Sequence, residues 1–263
     1  GRQVASFFEG AVVWLSFADR LYQLPLGVVG IAIAVVLLPD LSRRLAASDA
    51  AGGRHAFNRA AEISLAFTVP AAVALLVVPI PIVSTLFERG AFGPEDVSPT
   101  ARALAIYALG LPAFVLQKVL QPLYFAREDT RSPLRYALVA MVINAVVAIG
   151  LAPVLGFIAA AIATTLAAWV MVLLLWRGSR DMGQEAALDD QFRARAPRIV
   201  IASAAMGLVL FGTAIMLSDI LSSPGIRYLG LAALVLAGGI SYAVIGQLIV
   251  AFRLSDIRAS LRR

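Results

Sequence analysis

Between Leu134 and Trp176 the chain reads LRYALVAMVINAVVAIGLAPVLGFIAAAIATTLAAWVMVLLLW, and its one charge, Arg135, stands at the edge. Gly156 divides this stretch into two apolar runs, Leu134–Leu155 and Phe157–Trp176. A bilayer core is crossed by about 20 helical residues, whereas a barrel strand needs about ten residues of alternating polarity. These runs are about twice strand length and apolar on every face. They read as membrane-spanning helices. Five further runs of the same kind lie outward from them: Ala11–Pro39, Ile63–Phe87, Ala101–Ala126, Ile199–Leu217 and Tyr228–Phe252. The expected fold class is therefore an all-α integral membrane protein with about seven transmembrane helices.

The composition agrees. Of 263 residues, 60% are hydrophobic and 14% charged, with a mean hydropathy of +0.87. A soluble globule could not cover so much apolar surface with so few polar groups. The absence of cysteine and the single histidine, His55, exclude a disulfide framework, Cys/His zinc sites and thiol catalysis. The only lysine, Lys118, lies in an apolar run, which excludes a phosphate-binding GxxxxGK[ST] loop. None of the runs carries His, Cys or paired carboxylates, so catalysis is not expected.

Net charge is +6, but its placement is topological. Sixteen arginines fall on the 39–62, 127–135 and 177–198 connections and the 253–263 tail, while the alternate connections hold Arg89, Arg102 and Arg227, with Arg2 near the start. Arginine excess marks the cytoplasmic side, so the C-terminus is expected in the cytoplasm and nucleic acid is not an expected partner. Val4–Phe8 looks like the end of a preceding helix, and the chain reads as a fragment. The expected divisions are residues 1–10 as that end and a periplasmic link, 11–176 as a five-helix lobe, 177–198 as a cytoplasmic connection, 199–252 as two last helices and 253–263 as a basic tail. Ser132-Pro133 is expected to open the fourth helix, with serine as cap and proline in first helical position.

Two cations interrupt the apolar runs, Arg20 and Lys118. A charge at mid-bilayer costs about 2.5–3.5 kcal/mol unless it faces protein or water. Either both look onto an aqueous cavity, or each snorkels or pairs with a carboxylate. Asp19 adjoins Arg20 in sequence, yet neighbours on a helix do not face each other. Arg20 stands about 13 Å below the outer edge and Lys118 about as far from the inner edge. Facing one cavity, they would form a staggered lining for a phosphate or diphosphate. Pro25, Gly27 and Gly30 suit a bend in the first run, and Pro70, Pro79, Pro81 and Pro112 suit breaks further on, although prolines are also simply common in membrane helices. Ala159, Ala163 and Ala167 read as a packing stripe. Asn144 and Thr164 could coordinate a cation or bond to each other between helices. His55 and the outer loop with Glu88, Arg89, Glu95 and Asp96 read as solvated.

Three stretches carry a family resemblance. Phe17-Ala18-Asp19-Arg20-Leu21-Tyr22-Gln23-Leu24-Pro25-Leu26-Gly27, Leu86-Phe87-Glu88-Arg89-Gly90-Ala91-Phe92 and Tyr124-Phe125-Ala126-Arg127-Glu128-Asp129-Thr130-Arg131-Ser132-Pro133 resemble, in order, motifs of the second lobe of the MurJ/MviN lipid II flippases. That family belongs to the MOP exporter superfamily and has fourteen helices. The resemblance implies that this chain is the C-terminal half, whose partners are the missing N-terminal half, membrane lipids and lipid II in a bacterial inner membrane. It implies no enzymatic activity and no cofactor. The implied function is alternating-access export of undecaprenyl-diphosphate-linked peptidoglycan precursor, driven by membrane potential or by a H+ or Na+ gradient. Arg20 and Lys118 would bind the diphosphate. Asp19, Tyr22, Pro25 and Gly27 belong to the cavity motif, and Asp129, Thr130, Arg131 and Pro133 to the cytoplasmic turn. The last two helices would supply a groove for the lipid tail. Asn144 and Thr164 match positions of a sodium site found in some relatives, but Ala148 stands where an acid is needed, and Ser132 replaces a threonine. Alternatives are an exporter of another undecaprenyl-linked glycan and a non-transporting scaffold for cell-wall synthesis.

Overall fold

A computed structural model describes residues 10–32, 38–47, 49–223 and 225–251. The expected helix end at 1–10 and the tail at 253–263 thus lie outside the described residues, apart from Gly10. The helices are α1 (Ala11–Ala32), α2 (Leu38–Ala46), α3 (Ala50–Val77), α4 (Pro79–Phe87), α5 (Pro94–Phe125), α6 (Arg131–Leu155), α7 (Ile158–Ser179), α8 (Asp190–Met216), α9 (Ser218–Ser222) and α10 (Arg227–Leu248). Short 3-10 turns at Arg180–Met182 and Gln184–Ala186 join α7 to α8. Among the described residues six helices are long and apolar enough to cross a membrane: α3, α5, α6, α7, α8 and α10. The described part of α1 has the length but not the apolarity, because Asp19, Arg20 and Gln23 interrupt it.

Helix α5 is the most buried of the six and α6 the least. Helices α1, α3, α4 and α7 pack around α5, α6 lies on α7, and α8 joins α3 and carries α10. Side chains of α7 and α5 stitch the centre to carbonyls across the gap: Thr165 to Ile106 (2.9 Å), Trp169 to Leu109 (3.0 Å), Gln117 to Ala168 (3.0 Å) and Tyr124 to Leu175 (2.6 Å). Ala159, Ala160, Ala163, Ala167 and Ala168 are buried, the close approach that small residues allow. The outer face of α6 presents Val146, Ile149 and Val154 at 64–80% exposure, a surface suited to hydrocarbon.

The apolar runs underestimate the helices. Helix α3 begins at Ala50, so most of the 39–62 connection is helical, with Asp49 accepting from the Gly52 N–H at 2.9 Å. Helix α5 begins at Pro94, capped by Asp96 on the Gly93 N–H (3.0 Å), and α8 begins at Asp190, capped by Asp189 on the Phe192 N–H (2.6 Å). Of the proline positions expected to break helices, only Pro79 does so, after the non-helical Val78 (φ −124°, ψ 45°). Pro79 and Pro81 remove two donors within one turn, whereas α1, α3 and α5 run through the isolated Pro25, Pro70 and Pro112. The entry to α6 also differs from expectation. Its first residue is Arg131, Asp129 accepts from the N–H groups of Arg131 (3.1 Å) and Ser132 (2.9 Å), and Pro133 is the third helical residue. Asp129 takes up the first free N–H groups, so the helix starts before Ser132 and leaves that serine inside its first turn.

Candidate functional site

Helix α1 has two faces. Ala11, Leu15, Ala18 and Tyr22 are buried, at a spacing that keeps them on one side. Arg20, Gln23, Leu24 and Gly27 are exposed on another stripe, at i, i+3, i+4 and i+7. A stripe that mixes a guanidinium, an amide and a glycine suits a wet chamber better than acyl chains.

Arg20 makes no ion pair among the described residues. Its guanidinium carbon lies 5.9 Å from the Phe17 ring. Phe17 in turn packs against Phe87 and Phe92, with ring centroids 4.7 and 5.0 Å away. The first two motifs therefore meet through their aromatic residues, and this cluster holds the N-terminal half of α1. Gly90 adopts the left-handed φ of +63° that the Arg89–Phe92 turn needs. Asp19 accepts from the Gln23 amide at 2.7 Å rather than from Arg20. The Tyr22 ring lies between Tyr107 (5.2 Å) and Phe114 (5.5 Å). Pro25 is half-buried, and the open side of Gly27 has no atom within 4 Å of the place a Cβ would take.

Lys118 of α5 is exposed and likewise makes no ion pair among the described residues. Its Nζ lies over Gly30 of α1. Arg20 leaves α1 ten residues before Gly30, about 15 Å along the helix axis. The two cations thus stand on one pair of packed helices, about two to three helical turns apart along the axis.

The third motif forms the turn between α5 and α6. Glu128 takes a left-handed φ of +58°, and the N–H groups of Glu128 and Asp129 bond back to Phe125 (3.0 Å) and Tyr124 (3.1 Å), closing the end of α5. Hydrogen bonds from the Ser132 hydroxyl and N–H hold the Asp129 carboxyl below its ordinary range. Thr130 and Arg131 are exposed and Pro133 is buried. Arg127 donates to Met182 O (2.6 Å) and Glu185 (3.0 Å), tying the turn to the 3-10 segment.

Where a lipid-tail groove is expected from the last two helices, an apolar pocket of about 230 Å3 is lined by Met206 and Leu210 of α8, Leu234, Gly238 and Tyr242 of α10, and Pro70 of α3. Helix α3 thus supplies a wall that the sequence reading missed. Asn144 and Thr164 are brought together, the amide donating to the hydroxyl at 3.4 Å, while Thr164 also bonds Ala160 O at 2.9 Å.

The outer loop departs from the solvated rim expected of it. Glu88 pairs with Arg227 at 3.5 Å, and Asp96 accepts from Trp14 at 2.7 Å, although Arg89 and Glu95 are exposed. A charge cluster joining α3 to the start of α8 also escaped the sequence reading. Glu62, 6% exposed, pairs with Arg59 and with Arg195 (3.1 Å), and Arg59 reaches Asp189 at 3.2 Å. Arginines that count toward membrane orientation are here also structural clasps. His55 is exposed, in line with expectation.

The model of the family described as lipid II flippase MurJ matches residues 1–225. A protein of Rhizobium meliloti (strain 1021) described as "Probable lipid II flippase MurJ" is 45% identical over 270 residues, covering 99% of this chain and 49% of the relative. One of Vibrio cholerae with the same description is 36% identical, covering 98% and 49%. A solved structure, "Lipid II flippase MurJ, inward closed conformation", superposes with a TM-score of 0.77 at 26% identity, covering 93% of this chain and 48% of that one. The chain spans about half the length of the relatives it matches. With this helix order, these motifs and these relatives, the chain is a multi-pass membrane protein that belongs to the MurJ lipid II flippase family.

Proposed function

We propose that this chain works as one lobe of a transporter that carries lipid II, the undecaprenyl-diphosphate-linked peptidoglycan precursor, from the inner to the outer leaflet of a bacterial inner membrane. The observation that carries this reading is the pair Arg20 and Lys118, exposed and without ion pairs among the described residues on the packed helices α1 and α5. A diphosphate offers such cations the charge they lack. Lys118, on the inner half, is the first contact, and Arg20, on the outer half, the later one. The pocket between α3, α8 and α10 accepts part of the polyprenyl tail, whose apolar surface matches its lining.

Alternating access, one lobe rocking against the other, moves the headgroup past the midplane. The second lobe is contributed by the part of the family's length that this chain does not cover. The C-terminus lies in the cytoplasm, in keeping with the arginine asymmetry. The chain performs no covalent chemistry, and the work of transport comes from the membrane potential or a proton or sodium gradient. Asn144 and Thr164 supply two oxygens toward a sodium site, with Ala148 leaving it without a nearby acid.

The test is lipid II translocation by the full-length protein in cells or vesicles. Arg20→Ala should lower the rate at least about tenfold, the worth of one charge-assisted hydrogen bond, at unchanged protein level. Lys118→Gln should weaken transport less. Normal flipping by Arg20→Ala overturns the reading. Lipid II binding no tighter than that of other polyprenyl diphosphates would instead assign the chain to another undecaprenyl-linked glycan.

A further inference from the structure

We infer that Gly30 is a positioning residue: its missing side chain makes a seat on α1 in which the Lys118 ammonium rests, and this seat sets where the cation meets an anionic headgroup. The inference rests on the reading of Lys118 as a diphosphate contact.

A Cβ built on Gly30 would stand 2.7 Å from Lys118 Nζ, 3.4 Å from its Cδ and 3.6 Å from its Cε. Lys118 therefore lies along the α1 backbone instead of extending freely from α5. Gly30 is buried, while Lys118 remains exposed. The seat covers one side of the ammonium and leaves another side open.

The atoms that an added methyl group would meet belong to the far end of a flexible side chain, not to backbone. Alanine is also the better helix former. Gly30→Ala should therefore leave the helix pair intact and move the ammonium alone. A lysine has several rotatable bonds and needs such a fixed stop to present its charge at one place. The seat also ties Lys118 to α1, so that any bending of α1 below Pro25 carries the cation with it.

Two experiments on the full-length protein in detergent test this. The first measures proximity: in Gly30→Asp, a water-soluble carbodiimide should form a zero-length cross-link between positions 30 and 118, found as a joined peptide by mass spectrometry. Absence of the cross-link overturns the seat. The second measures consequence: Lys118 is modified with an amine-reactive reagent with and without farnesyl diphosphate, and its peptide is quantified. The wild type should be protected about tenfold and Gly30→Ala about twofold or less, whereas Gly150→Ala, at a helix position open on its outer side, should keep wild-type protection. Full protection in Gly30→Ala overturns the positioning role. An unprotected wild type that still shows the cross-link in Gly30→Asp leaves the seat standing and removes the reading of Lys118 as a diphosphate contact.

Discussion

Arg227 grips Glu88 twice: one guanidinium nitrogen donates to the Glu88 carbonyl at 2.7 Å and another faces its carboxylate at 3.5 Å. Arg227 opens α10 and Glu88 follows α4, so this contact fastens α10 to the C-terminal end of α4. At the other end Glu62 of α3 receives Arg195 of α8. The α8–α10 unit is thus clasped to α3 and α4 near both membrane faces, with the apolar pocket between the clasps.

Breaking either clasp should loosen that unit. Glu62→Ala leaves Arg59 and Arg195 facing each other without the carboxylate, and the loss should be about 3 kcal/mol. Arg227→Ala, at a more exposed pair, should cost about 1–2 kcal/mol. Chemical unfolding in detergent measures both. Equal stability of Glu62→Ala and the wild type would show that the cluster holds nothing.

Gly178→Ala should be costly for a steric reason. The new methyl group would collide with the hydroxyls of Tyr136 and Tyr124, and the Tyr124 hydroxyl is the donor to Leu175 O. Displacing it leaves the buried Tyr124 hydroxyl without its acceptor, for about 2 kcal/mol in all. Adding Tyr136→Phe, which removes one of the two obstructing oxygens, should recover part of the loss in the same assay.

The turn between α5 and α6 should respond to acid. Asp129 is held below its ordinary range in the folded chain, so its contribution is present above the unfolded carboxylate value near 4 and fades as pH falls through the lower folded value. Amide exchange at Arg131 and Ser132 should therefore accelerate, relative to the intrinsic rate, on going below about pH 4. Asp129→Ala should show the faster exchange already at neutral pH. Exchange at these two amides that is indifferent to both changes would rule out the carboxylate cap.

How far the sequence could be read depended on the kind of signal. Hydrocarbon demands long apolar helices, so runs such as Leu134–Leu155 were visible at once. The cost of charge at mid-bilayer likewise singled out Arg20 and Lys118. Helix starts were less visible, because an apolar scan stops where charge begins, while the caps at Asp49, Asp96 and Asp189 lie in the polar zone beyond. Pro79 broke its helix and Pro25, Pro70 and Pro112 did not, a difference that reflects a second proline two residues on. The Glu62–Arg195 and Gly30–Lys118 contacts join residues 133 and 88 positions apart in the chain. Nothing local to either partner announces them.

In the proposed mechanism Lys118 and Arg20 face water and act through their charge. The most direct measurement replaces the lysine in the full-length protein, as Lys118→Cys with no other cysteine, and treats the variant with a water-soluble aminoethylating thiol reagent that restores an ammonium. Lipid II translocation should be low before treatment and should recover with the charged reagent, but not with a neutral one of the same size. A thiol that does not react with either reagent, or transport that is equal before and after treatment, would contradict the account.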